Sequence, residues 1–376
     1  MSYVNFRMLL SRNVGLTVIC LHANTACTAQ TAQTVPTDWK TDCVGRMQIS
    51  LPGMADIAVT PDDYLMSLLD LAPSKNAPPY SFPDGVVAGY TSLAYSIASL
   101  KISQPQSPAA LSAQLKAHVN QRFTNVKKNY TNSVQSDGSK YSFAVVKTGI
   151  DNASIWQSTP NRFNAVIQLE DRLVDLNLTI DADSAWRPLE QLTSFLKAFQ
   201  ARPMFNIPKE SGVCLPYMYA RDSGKAARNV QMTYRLVDHP DVQITIKDET
   251  STAREPGIRT QNAEPLPVIQ SLWDQHLTQF AKDGKNEWPR GGRPVTLAGY
   301  KGLSSFVKFI RPDDKIDYGY AAVVRGDPNA KEDTPDLMVY VIRDSNNAKG
   351  KEPMPKDEFL KMAETIAASV KRRPVQ

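Results

Sequence analysis

Histidine and cysteine are both scarce in this chain, with four of each among 376 residues. That leaves little material for a metal centre or a proton relay. No His-Glu-x-x-His, Cys-x-x-Cys, Gly-x-Ser-x-Gly or Gly-x-x-x-x-Gly-Lys-Ser/Thr spacing occurs. The chain therefore lacks the signatures of metalloproteases, zinc ribbons, serine hydrolases and phosphate loops. A dense basic run is also missing before the tail Lys371-Arg372-Arg373, and the net charge of +5 is small and spread out, so nucleic acid is not an expected partner. Glycines (18) are fewer than prolines (26), which points to fixed turns and short elements rather than long helices.

What is present is an ordinary globular composition, 42% hydrophobic and 22% charged. It excludes wholesale disorder and a polytopic membrane protein. At roughly 100–200 residues per domain the length suits two domains. The first thirty residues read as an address. Arg7 and Arg12 form a positive start, an apolar stretch from Val14 to Ala26 follows, and the small residues Ala26-Cys27-Thr28-Ala29 close it. That order is a secretory signal peptide. His22 and Asn24 interrupt the run before it reaches the roughly 20 residues of a membrane span. Cleavage after Ala29 gives a soluble product, whereas cleavage before Cys27 would give a lipoprotein anchored through that thiol. Leu21 and Asn24 make a poor lipoprotein box, which favours the soluble product. Loss of residues 1–29 removes Arg7, Arg12, Cys20 and Cys27, so +5 becomes +3 and only Cys43 and Cys214 remain. In an oxidising compartment that pair favours a disulfide, and two buried free thiols are the alternative.

The remainder divides into two segments, 30–205 and 206–376. In the first, Met47, Ile49 and Leu51 alternate with polar residues as in a half-buried strand that Pro52 ends. An irregular Pro-rich stretch spans Pro73 to Pro83. Ser107-Pro108 starts a helix whose apolar face carries Leu111, Leu115, Val119, Phe123 and Val126. Strands are predicted at Tyr141 to Val146, Phe163 to Leu169 and Val174 to Ile180, the last with one buried face. A helix from about Trp186 to Phe199 follows. The second segment repeats this plan: strands at Val230 to Leu236 and Val242 to Ile246, a helix from Pro267, strands at Ser305 to Ile310, Tyr318 to Val324 and Leu337 to Ile342, and a helix from Lys356 to Val370. The fold class predicted is α+β, two similar lobes that each pack helices on an antiparallel sheet.

Candidate chemistry is thin, and no catalytic or metal-ligating residue and no cofactor is assigned. After maturation only His118, His239 and His276 remain, and no motif aligns them, so they read as surface or core histidines. Asp62-Asp63 and Asp313-Asp314 lack a calcium-loop pattern and read as solvated turn acids. Arg290-Gly291-Gly292-Arg293 could cradle an anion but lacks a strand-to-helix context, and reads as a connector. Trp288 stands in the same loop, and an aromatic among charges there suits either a partner contact through Trp288, Arg290 and Arg293 or an anchor for the loop itself.

Two motifs carry a family resemblance. Cys43-Val44-Gly45-Arg46, followed by a short strand and Leu51-Pro52, opens the first segment, and Gly212-Val213-Cys214-Leu215 opens the second. With the two-domain length and the signal peptide they resemble the immunity proteins of type VI secretion lipase effectors, the Tli class cognate to Tle phospholipases. Leu297-Ala298-Gly299-Tyr300-Lys301-Gly302 adds a weaker match. The chain departs from the family pattern at Pro216-Tyr217-Met218 and at Leu303-Ser304. The resemblance implies a non-enzymatic periplasmic protein that clamps a phospholipase and keeps its lid or substrate entrance closed, with Cys43–Cys214 tying the two lobes. Other readings are an adaptor or chaperone that loads such an effector, and a periplasmic ligand-binding protein or hydrolase.

Overall fold

In the computed structural model of the chain, the described residues are 35–61, 80–113, 115–117, 120, 124, 145–147, 149–150, 152–159, 162–180, 189–252, 264–279, 285–287 and 291–375. The proposed signal peptide, Asp62-Asp63, most of the Pro-rich stretch, His118, Trp186, Trp288 and Arg290 lie outside them. The fold is α+β and rich in sheet.

Alternating sequence in some segments and short apolar runs in others make the strands, and their pairing makes one antiparallel sheet of 14 described strands. Its centre is the contact between β4 (Ser92–Tyr95) and β13 (Arg228–Leu236), where Val230 pairs with Leu93. From β4 the sheet runs outward through β5 (Ala98–Ile102), β9 (Arg172–Thr179), β8 (Arg162–Leu169), β7 (Ala153–Thr159) and β6 (Val145–Lys147). From β13 it runs the other way through β14 (Val242–Glu249), β19 (Asp336–Arg343), β18 (Ile316–Val324), β17 (Tyr300–Ile310) and β15 (Lys285–Glu287). β3 (Ala55–Ile57) also pairs with β13, and β16 (Arg293–Leu297) with β17. The order on one side of the centre mirrors the order on the other: a pair of strands, then a three-strand meander joined in through its last strand.

Two small sheets cross the sequence midpoint reciprocally. The hairpin β1 (Lys40–Val44) and β2 (Met47–Leu51) pairs with the closing strand β20 (Lys371–Arg372). The hairpin β11 (Gly212–Leu215) and β12 (Met218–Arg221) pairs with β10 (Phe199–Ala201), which closes the first segment.

Helices cover both faces of the large sheet. On one face α2 (Leu189–Lys197) and α4 (Lys356–Ser369) bury Leu192, Phe195, Phe359, Met362 and Ile366 in the main core. On the other, α1 (helical residues 108–113 and 115–117) seals Trp156, Val166 and Leu173 with Leu111, and α3 (Pro265–Gln279) lays Ile269, Leu272 and Trp273 over Val307, Phe309 and Tyr340. Ser107 caps α1 as predicted, its hydroxyl accepting from the Ala110 N–H at 3.3 Å.

Four expectations need correction. β9 is buried on both faces at Leu173 and Asp175, because α1 covers the face expected to meet water. Phe199 leaves the helix and begins β10, where it pairs with Ala220. The helix expected from Pro267 starts at Pro265. Gln48 of β2 is buried, since β2 lies between β1 and β20.

Candidate functional site

The motif residues of the two segments meet at a single point. β1–β2 turns at Gly45-Arg46 and β11–β12 at Pro216-Tyr217. Gly45 and Cys214 exchange two backbone hydrogen bonds, each 2.8 Å, and the wholly buried Cys43–Cys214 disulfide lies beside them with its Cα atoms 5.7 Å apart. Gly45 has φ +58° and packs on the carboxylate of Asp248, where a side chain would overlap it. Asp248 lies on the apolar face of β14 and accepts from the Arg46 N–H (2.6 Å) and from the Arg228 guanidinium in a fork (2.6 and 2.7 Å). Asp333 then bridges Arg228 (2.9 Å) and Arg372 (2.8 Å), and Asp222 pairs with Arg46 at 2.9 Å. Burial opposes ionisation of Asp333, but Arg228 and then Arg372 outweigh it and hold its carboxyl below the usual range.

The closing strands repeat one contact. The Arg202 N–H, just past β10, donates to the Tyr217 carbonyl at 2.9 Å, and the Arg373 N–H, just past β20, donates to the Arg46 carbonyl at 2.9 Å. Both guanidiniums are buried. Arg202 grips Asp42 (2.6 Å), which also accepts from the Tyr234 hydroxyl (2.9 Å), while Arg373 donates to the carbonyls of Pro208, Glu210 and Gly212. Gly212 tolerates no side chain either, for its α-carbon faces the Ala220 carbonyl and the Tyr219 ring. The Cys43, Gly45, Arg46, Gly212 and Cys214 motifs thus build the junction between the segments. Sequence reasoning missed Asp248, Arg228 and Asp333. The hairpin expected over 230–246 already brings 228 close to 250, but nothing local says that Gly45 lies above them.

A different surface is open. Register places Ser99 and Lys101 of β5, Asn177 of β9, Ala94 of β4, Asn229 and Gln231 of β13, and Lys247 and Glu249 of β14 on one face, between α1 and α3. These side chains are half-buried or exposed, and they are polar apart from Ala94, so this centre needs no helix over it. Where the polar trough meets α3 there is a cleft of about 240 Å³, walled by Tyr90, Val268, Ser271, Leu272, Val323 and Met338. Its rim carries two ion pairs, Lys247 with Glu249 and Arg325 with Asp336 (2.9 Å). The far end of α3 holds His276, tilted against Phe309 with ring centroids 4.3 Å apart, and burial pushes its imidazole down to about 4.

Of the residues expected to touch a partner, Arg293 is exposed at the start of β16 and opposes Ser304, while Trp288 and Arg290 lie outside the described residues. Leu297 to Gly302 form the β16–β17 hairpin, whose turn residues Ala298 and Gly299 both have positive φ. Asp313 and Asp314 sit exposed in the β17–β18 turn beside Arg311 and Lys315. Among the described residues there is no His/Cys/Asp/Glu cluster that could hold a metal.

Comparison with known proteins bears first on the second segment. Residues 206–375 match the model of the Tle cognate immunity protein 4 C-terminal domain. The fold resembles a chain in the crystal structure of a Tle4–Tli4 complex, with 16% identity over 90% of this chain and 99% of that one and a TM-score of 0.55. It also resembles the immunity protein TplEi of the type VI secretion system of Pseudomonas aeruginosa, solved alone and with an "L" peptide, each with 14% identity, 90% and 99% coverage and a TM-score of 0.53. No curated protein matches the chain. The second segment, residues 206–375, thus matches the Tle cognate immunity protein 4 C-terminal domain family, and it brings Cys214 to the disulfide at the junction.

Proposed function

We propose that the chain is a non-enzymatic inhibitor that binds a cognate Tle phospholipase effector in the periplasm. The observation that carries this is the match of residues 206–375 to the Tle cognate immunity protein 4 C-terminal domain. The likeness in fold to a chain of the Tle4–Tli4 complex supports it. TplEi, of similar fold, is solved with an "L" peptide, so a linear segment of the effector is a reasonable ligand. In this reading residues 1–29 export the chain and are removed, with Cys27 as the lipid anchor should processing take the other route. The segments 30–205 and 206–376 act as two similar lobes around the β4–β13 centre. The buried disulfide and the reciprocal closing strands make them a preformed clamp, which lowers the ordering cost of binding. The clamp holds the lid or substrate entrance of the lipase shut, with Trp288, Arg290 and Arg293 as contact residues.

The test is to mix the mature protein with the purified Tle phospholipase taken as its cognate effector. Co-elution on gel filtration and loss of phospholipase activity are expected. Separate elution with full activity would sink the reading.

A further inference from the structure

We propose that the cleft beneath α3 is the anchor pocket for the effector, taking one or two uncharged apolar side chains from a linear segment that lies along the polar trough. This deepens the inhibitor function proposed above and rests on it.

The cleft's size and charge select the occupant. At about 240 Å³ it falls below the roughly 300–1,000 Å³ of small-molecule pockets, and it suits side chains better than a cofactor. Val268, Leu272, Val323 and Met338 give it apolar walls, and the charges at its rim answer one another, Lys247 to Glu249 and Arg325 to Asp336. A charged occupant would lose its hydration there and find no free counter-ion among the described residues. A neutral apolar one matches rim charges that already answer one another. Outside the pocket, the half-exposed amide of Gln231 and the exposed amide of Gln275 can bond the backbone of an extended segment. An apolar centre inside a polar rim is how protein interfaces are arranged. The pocket is also preformed: the Tyr90 hydroxyl donates to the Leu272 carbonyl at 3.4 Å, and the Tyr90 ring meets Tyr340 edge-on at 4.8 Å.

The test is the affinity of the mature, oxidised protein for the purified Tle phospholipase taken as its cognate effector. Ser271→Trp fills the cleft from α3 and Ser271→Asp places an unanswered carboxylate at its mouth, while Gln270→Trp on the exposed side of the same helix is the control. Each variant is first checked for an unchanged thermal midpoint, and the Asp variant carries the test should the Trp variant misfold. Both Ser271 variants are expected to weaken binding by about tenfold or more, with the control unchanged. Wild-type affinity in a folded Ser271 variant overturns the pocket while leaving the inhibitor function standing. Failure of the unmodified protein to bind overturns both. Displacement of the lipase by free myristate at the cleft would assign the pocket to lipid and also overturn the proposal.

Discussion

Gly45 and Asp248, 203 positions apart, stand so close that a methyl group on the glycine would occupy the space of the carboxylate. The same carboxylate neutralises Arg228 and accepts the N–H of Arg46. One backbone position therefore guards the charge balance of the junction. Gly45→Ala would add left-handed strain of about 1 kcal/mol and push Asp248 off Arg228, exposing a buried pair to a loss of about 3–5 kcal/mol. Urea unfolding should show it. Gly299→Ala is the internal control, with φ +88° but nothing within 4 Å of the new carbon, so it should cost only the strain. Equal losses for the two would refute the role given to Asp248.

The disulfide closes a span of 171 residues. On the chain-entropy model such a loop contributes about 5 kcal/mol. Cys43→Ala with Cys214→Ala should lower the thermal midpoint strongly. Both sulfurs are buried, so reductant should reach the bond only when the protein opens. Dithiothreitol is expected to leave it intact in buffer and cleave it near the urea midpoint. Rapid reduction in buffer, followed by thiol labelling, would contradict this.

How far the sequence foretold these features depends on the range of the interaction. Strands β13 and β14 were legible because alternation is local, β8, β18 and β19 because their apolar runs are short and local, and the Ser107 cap because it acts within one turn. The Cys43–Cys214 disulfide was the favoured reading, over two free thiols, once the proposed export segment with Cys20 and Cys27 was set aside. Asp248 was not, for it is a charged residue on the apolar face of its strand, and its reason for being there is Arg228 and the hairpin laid across both. Likewise, the open polar trough is visible only after register aligns Lys101, Asn229 and Lys247 on one face. No local pattern states that β4 pairs with β13.

His276 gives the protein an acid limb. Burial lowers its pKa to about 4 from 6.5, so the folded state holds the neutral imidazole and protons favour the unfolded chain. The sign follows: its contribution is fully present above pH 6.5 and is lost as pH falls from there towards 4. At 1.36 kcal/mol per pKa unit the loss amounts to about 3 kcal/mol. In His276→Gln the fall in unfolding free energy between pH 6.5 and 4 should be smaller by that amount. An unchanged slope in that window would rule out the histidine as its source.

Arg373 holds the two ends of the molecule together from the last turn of chain. Its guanidinium reaches the carbonyls of Pro208, Glu210 and Gly212 in the connector between the segments, and its own N–H meets Arg46. Removal of residues 371–376 deletes β20 and that clamp together, whereas Arg373→Met keeps the strand and much of the packing but strips the connector of its charged donor. Hydrogen bonds from a charged group contribute about 1.5–3 kcal/mol each, and buried carbonyls left unpaired add to the loss. The Met variant should lose about 4–5 kcal/mol, the low end for three such bonds, and the truncation more, since Arg372 also leaves Asp333. Hydrogen exchange separates the two effects. The Met variant should deprotect residues 208–214 first, and the truncation should deprotect β1 and β2 as well. Protection unchanged across the connector in Arg373→Met would mean that the clamp is ornamental and that the disulfide alone holds the junction.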